Sequence, residues 1–75
     1  MTLKEMIKIT GELPNNGITE NGVRFAVDVT KQKLNYVACL WEIKGYDVKE
    51  RVIKYGTGHT PEKAKETLKN KILKE

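Results

Sequence analysis

Residues 23–43 read Val23-Arg24-Phe25-Ala26-Val27-Asp28-Val29-Thr30-Lys31-Gln32-Lys33-Leu34-Asn35-Tyr36-Val37-Ala38-Cys39-Leu40-Trp41-Glu42-Ile43. The first eight alternate. Val23, Phe25, Val27 and Val29 fall on one side, and Arg24, Asp28 and Thr30 on the other. A period of two with one dry and one wet face predicts a half-buried β-strand. From Tyr36 to Ile43 the apolar residues occupy both parities, as expected of a central strand partly covered on both faces. Lys44-Gly45 then makes a turn, and residues 46–55 form a third strand. There Val48 and Val52 are in phase while Ile53 and Tyr55 take the opposite parity, which predicts a bulge or register change near Val52-Ile53.

Outward from these strands, the C-terminal segment predicts a helix. Thr60 is its N-cap, Pro61 its first helical residue, and Glu62 complements the dipole. Ala64, Leu68 and Ile72 recur every four residues and face the sheet, with Leu73 outside that stripe. At the other end residues 2–10 read two ways. Thr2-Leu3-Lys4-Glu5 fits a capping box, Leu3, Met6 and Ile7 share a helical face, and Gly11 suits a left-handed C-terminal position. The alternation of Ile7, Ile9 and Leu13 fits a strand. Between them, Pro14-Asn15-Asn16-Gly17 reads as a loop, and Asn21-Gly22 is a hairpin signal that leaves residues 18–20 as a brief pairing segment. The expected fold is α+β: one domain spanning residues 1–75, a three-stranded antiparallel β-meander with a C-terminal helix packed on one face and a short N-terminal helix.

Composition bounds the function. A chain of 75 residues with 39% hydrophobic and 32% charged content suits one small globular domain. The single cysteine, Cys39, allows no intrachain disulfide. That points to a reducing, cytoplasmic setting. No apolar run reaches the roughly 20 residues of a membrane span. The net charge of +4 is uneven: residues 1–48 sum to zero, and the whole excess lies in residues 49–75. Such asymmetry fits an anionic partner, nucleic acid first, and also fits an ordinary solvated helix face.

Catalytic constellations are missing from the sequence. It has no serine, and His59 is its one histidine, with no partner implied by spacing. A metal site needs several ligands in a cluster, which one Cys and one His do not supply, so no enzyme activity, cofactor or metal is expected. Cys39 reads as a small buried hydrophobe. Gly56-Thr57-Gly58 before a capped helix has two readings: a phosphate cradle, or a short connection whose glycines take positive φ. The pattern of a nucleotide-hydrolysing phosphate loop is absent. On the helix, Lys65 and Lys69 fall on one flank of the apolar stripe, Lys63 and Lys74 on the other, and Lys71 borders it. On the sheet face away from the helix, either Tyr36, Ala38 and Leu40 or Val37, Cys39 and Trp41 join Arg24, Asp28 and Thr30.

The stretch Gly56-Thr57-Gly58-His59-Thr60-Pro61-Glu62-Lys63-Ala64-Lys65 resembles the end of a double-stranded-RNA-binding domain. That family has an α-β-β-β-α order, and its third strand runs into G-x-G-x-S-K-K-x-A-K. The glycines, the hydroxyl cap, the alanine and the last lysine match. Pro61 and Glu62 replace two family lysines that hold phosphates, and the family's Gly-Pro-x-His region is missing. The resemblance therefore carries over only Lys65 as a phosphate contact, with Lys63 or Lys69 as neighbours. The helix start also resembles that of HicB-type antitoxins, and the β-β-β-α order resembles the arm-type DNA-binding domains of phage integrases. A pattern shared by three families reports fold more than function.

Together these features predict a small non-enzymatic binding module. The first expectation is nucleic-acid binding through phosphate contacts from Arg51, Lys63, Lys65 and Lys69. The alternative is a protein partner: an antitoxin-like or inhibitory factor, of phage or mobile-element origin, that uses an edge strand or an exposed sheet face bearing Tyr36, Leu40 and Trp41. Neither needs a membrane.

Overall fold

The computed structural model describes residues 1–74 as helix α1 (Leu3–Thr10), strands β1 (Asn16–Ile18), β2 (Arg24–Gln32), β3 (Asn35–Lys44) and β4 (Val48–Gly58), and helix α2 (Pro61–Leu73). The strands form one antiparallel sheet in the order β1-β2-β3-β4. The α+β class is as expected, but the sheet has four strands, not three. The extra strand is β1, which pairs Asn16, Gly17 and Ile18 with Ala26, Phe25 and Arg24. Three residues are too short to show alternation, and a Pro-Asn-Asn-Gly run carries turn chemistry. What holds this strand is tertiary. Gly17 passes so close over the Phe25 ring that a Cβ there would lie 3.1 Å from Cε1.

Residues 2–10 form a helix. The Glu5 carboxylate accepts from the Thr2 backbone N–H at 2.9 Å and from the Thr2 hydroxyl at 2.8 Å. Gly11, at φ 76°, closes the other end by donating to the Ile7 carbonyl at 2.7 Å. Leu3 and Ile7 are buried, whereas Ile9, which a strand would have placed beside Ile7, is exposed. A second carboxylate also caps the helix from outside, since Glu20 accepts from the Lys4 N–H at 2.8 Å. Hydrogen bonds from Thr2 hold the Glu5 carboxyl below its ordinary pKa. At Glu20 burial pushes upward, but the bonds from Thr2 and Lys4 outweigh it and the net shift is down. Groups with a lowered native pKa stabilise the fold above the unfolded-state value and lose that contribution as pH falls through the native value. We therefore expect constant stability on this account at neutral pH and a decline below about pH 4.5, the ordinary carboxyl value. Urea melts between pH 7 and pH 2.5 check this, and in a Glu5→Gln/Glu20→Gln variant the decline should be shallower.

Both helices lie on the same face of the sheet. Leu3 and Ile7 of α1 and Ala64, Leu68 and Ile72 of α2 share one core with Phe25, Ala38 and Leu40, flanked by Val27, Val29, Tyr36 and Ile53. The cross-strand pairs Val27–Leu40 and Val29–Ala38 fix which parity is buried. Hence Val37, Cys39 and Trp41 point to the other face, and Leu40, at 2% exposure, lies beneath the helices. The bulge falls near the expected place: Leu40 pairs with Lys54 and Trp41 with Val52, so Ile53 is the extra residue and turns inward to the core. A second shift, between Glu42 and Ile43, leaves Glu50 unpaired.

Strand β4 runs three residues beyond the expected end, through Gly56 and Gly58. Neither glycine has positive φ. Each instead lets α2 approach: a Cβ on Gly56 would lie 2.5 Å from the Leu68 nitrogen, and one on Gly58 2.6 Å from the Ala64 nitrogen. These residues are therefore the floor on which α2 rests, which corrects the expectation of a loop with left-handed glycines. No helix among the described residues is long and apolar enough to cross a membrane.

Candidate nucleic-acid interface

The start of α2 is the first place to look for an anion site, because helix N-termini leave backbone donors unpaired. Here one is absent and one is taken: Pro61 has no N–H, and the Lys63 N–H donates to Thr60 Oγ1 at 3.1 Å, while the Ala64 N–H makes the first bond within the helix, to the Thr60 carbonyl at 3.0 Å. Gly56 and Gly58 lie in the strand under the helix and form no loop ahead of it.

The expected phosphate ligands do not converge. Lys69 is only 18% exposed and is bound twice, to Glu66 at 2.9 Å and to the Gly11 carbonyl at 3.1 Å, so it ties the end of α1 to α2. Lys65 lines the same shallow groove, whose walls include Glu12, Glu62 and Glu66. Its charge is set among carboxylates. Arg51 is 69% exposed but bonded to Glu42 at 2.6 Å. It stands seven residues before Gly58 on β4, roughly 20 Å along the strand from the start of α2. Lys63 alone of the four is exposed at the start of α2 without an ion pair.

The sheet register adds two lysines that the sequence did not single out. Lys31 pairs with Tyr36, and Tyr36 pairs with Gly58. These three residues therefore lie in one row, with Lys31 about 10 Å from Gly58 at the usual strand spacing. Lys31 shares its parity with Val27 and Val29, so it projects on the helix side. Lys33 sits two residues further on, in the β2–β3 hairpin, with φ 54°. Lys31, Lys33 and Lys63 thus occupy one end of the molecule together with His59, and each is exposed. None of the three takes part in an ion pair among the described residues. The sequence holds only a weak signal for this: two lysines flank Gln32 at a turn that lacks glycine.

The opposite sheet face has different chemistry. Trp41 donates its indole N–H to Asp28 Oδ1 at 3.0 Å. Lys49 is bonded to the other Asp28 oxygen and lies 5.6 Å from the Trp41 ring centre. Arg24 pairs with Asp47 at 2.6 Å and donates to the Gly45 carbonyl. Burial, then the neighbouring Asp28 charge, pushes the Cys39 thiol above its ordinary pKa, with Lys49 opposing, so it stays protonated at neutral pH. The expected protein-binding set is split between the faces. Leu40 is in the core and Tyr36 packs against it, so neither can join Trp41 in one exposed patch. The free edge of β4 is also obstructed, because Lys71 donates to the Tyr55 carbonyl at 2.8 Å and covers its ring at 4.9 Å. A lysine across an edge strand discourages pairing with another chain.

Among the described residues no group of three His, Cys, Asp or Glu side chains is placed to hold a metal ion. No family model matches the chain, and no curated protein or solved structure matches it.

Proposed function

We propose that the chain is a small non-enzymatic module that binds nucleic acid by its phosphate backbone, using Lys31, Lys33 and Lys63 with Lys65 as a flanking charge. The observation that carries this reading is the Lys31–Tyr36–Gly58 row, which brings the hairpin lysines beside the start of α2. Lys31, Lys33 and Lys63 are exposed and gathered at one end of the molecule, whereas Arg51 and Lys69 are already bound to carboxylates. The resemblance to double-stranded-RNA-binding domains at residues 56–65 implies the helix-start part of this set, Lys65 with Lys63 as its neighbour. The reading includes no base-edge contacts, so binding should tolerate changes in sequence.

Fluorescence-anisotropy titrations against duplex RNA, duplex DNA and single-stranded DNA test this. Four lysines neutralising phosphates give a slope of log affinity against log salt of about −3 to −4 on duplex DNA. Micromolar binding at low salt with such a slope is expected. No binding at low salt, or binding indifferent to salt, contradicts the proposal.

Lys33 provides a sharper test. A left-handed conformation costs a lysine on the order of 1 kcal/mol, and asparagine adopts it more readily. Lys33→Asn should therefore raise folding stability by about 0.5–1 kcal/mol while weakening nucleic-acid binding several-fold. Denaturant melts and the anisotropy titration, made on the same preparation, check the two opposite signs.

A further inference from the structure

We infer that the unpaired half of the β2 edge, residues 28–32, takes up an extended acidic peptide segment as an additional strand of the sheet. Strand β1 covers β2 only as far as Ala26, and the last bond across this edge runs from the Val27 N–H to the Asn15 carbonyl at 2.8 Å. In an antiparallel ladder every second residue turns its N–H and C=O to the same neighbour. Thr19 bonds to Val23 and Val27 to Asn15, so the odd-numbered residues of β2 face the β1 side. Val29 and Lys31 are the next two, and among the described residues nothing pairs with their N–H or C=O groups. Residues 30–33 are exposed. Two donors and two acceptors thus stand open along roughly 17 Å of strand.

The backbone pattern selects a peptide. Donors and acceptors alternate along this edge, and an extended chain answers both, whereas a phosphate backbone offers acceptors only. The side chains select its charge. Val29 and Lys31 stand on the helix side, with Lys33 just beyond, and neither lysine takes part in an ion pair among the described residues. An acidic side chain opposite Lys31 and an apolar one opposite Val29 complement them. A second copy does not. Asn15 already occupies the place opposite Val27. The pairings left within residues 28–32 that match the odd-numbered residues set Lys31 directly opposite or diagonal to its own copy, which like charge disfavours. Lys71 closes the β4 edge because its ammonium is bonded to the Tyr55 carbonyl. Lys31 stands perpendicular to the sheet and leaves its own edge open. The inference does not rest on the nucleic-acid reading.

Amide exchange of the full chain, followed in nitrogen–proton correlation spectra without nucleic acid, tests the inference. The probe is the blocked peptide acetyl-Thr-Glu-Thr-Val-Thr-amide, which in antiparallel register sets its Glu opposite Lys31 and its Val opposite Val29. In the free protein the Val29 and Lys31 amides should exchange at least about tenfold faster than those of Asp28 and Thr30, which face β3. Millimolar peptide should slow both by about tenfold. A peptide with Lys in place of Glu should bind about fivefold more weakly. Lys31→Glu should reverse that order, with an unchanged far-UV circular dichroism spectrum. N-methylation of the peptide at Glu and Val removes the two N–H groups that face β2 and should abolish binding. Val29 and Lys31 amides already protected in the free chain overturn the inference, because the edge is then closed or shared with a second copy. Failure of millimolar peptide to slow them overturns it as well. Equal binding of the N-methylated peptide does so by showing attraction of charge without strand addition, and an unchanged peptide preference in Lys31→Glu does so by removing the reason for an acidic partner.

Discussion

Replacing Gly56 with alanine is expected to remove about 3 kcal/mol or more of folding stability, beyond the usual range for an added methyl group in a core. The new Cβ would lie 2.5 Å from the Leu68 nitrogen, 2.9 Å from its Cα and 3.0 Å from the Ala64 carbonyl oxygen. All three are backbone atoms, so no side-chain rotation relieves the contact. Helix α2 must lift away from the sheet, and with it Ala64, Leu68 and Ile72, which supply the helix's share of the core. A domain of this size has roughly 4–11 kcal/mol in total, so the loss takes a large part of it. Gly58→Ala should behave alike, since its Cβ would meet the Ala64 nitrogen at 2.6 Å. Gly22→Ala is the contrast. It has open space around it and loses only the cost of a left-handed φ of 79°, about 1–2 kcal/mol. Urea denaturation of the three variants separates close packing from backbone conformation.

The glycine pair shows where the sequence was legible and where it was not. Local signals with a stereochemical cause were readable: the Thr2–Glu5 capping box, the Thr60-Pro61 helix start, the alternation from Phe25 to Val29, and the parity break at Ile53. Gly56 and Gly58 were visible as glycines, but their reason was not, because a close approach between β4 and α2 involves residues five to twelve positions apart in different elements. Strand β1 was read only in part, for a related reason. Asn21-Gly22 signalled a brief pairing segment at residues 18–20, but the strand lies at Asn16–Ile18, where pairing with β2 and contact with Phe25 hold it. The same limit applied to the site. Composition located the basic excess in the last third of the chain but could not tell which lysines were already engaged. Lys69 and Arg51 bind carboxylates and a carbonyl, whereas Lys31 and Lys33, from the electrically neutral part of the chain, come to lie beside Lys63 through strand register alone.

Reversing charge at Lys31 and Lys63 together, as Lys31→Glu/Lys63→Glu, should weaken nucleic-acid binding at least about a hundredfold at low salt. Two phosphate contacts are lost and two repulsions gained, and the salt slope should fall by about two units. Both side chains are exposed, so stability should change by less than about 0.5 kcal/mol. Arg51→Ala, by contrast, should alter affinity less than about threefold, because its guanidinium already meets Glu42 at 2.6 Å. Lys69→Ala should show more in stability than in binding, since it removes the link from α2 to the Gly11 carbonyl at the end of α1. Anisotropy titrations and urea melts on the same variants distinguish these outcomes. If Arg51→Ala or Lys69→Ala costs as much affinity as the double reversal, the interface lies elsewhere.

The most direct test is a nitrogen–proton correlation spectrum of the labelled protein, titrated with duplex RNA and with duplex DNA at low salt. The account predicts shifts clustered at residues 31–35 and 58–65, with the Trp41 indole resonance unmoved. Shifts centred on Ala26, Cys39 and Trp41, or no shifts with either duplex, would contradict it.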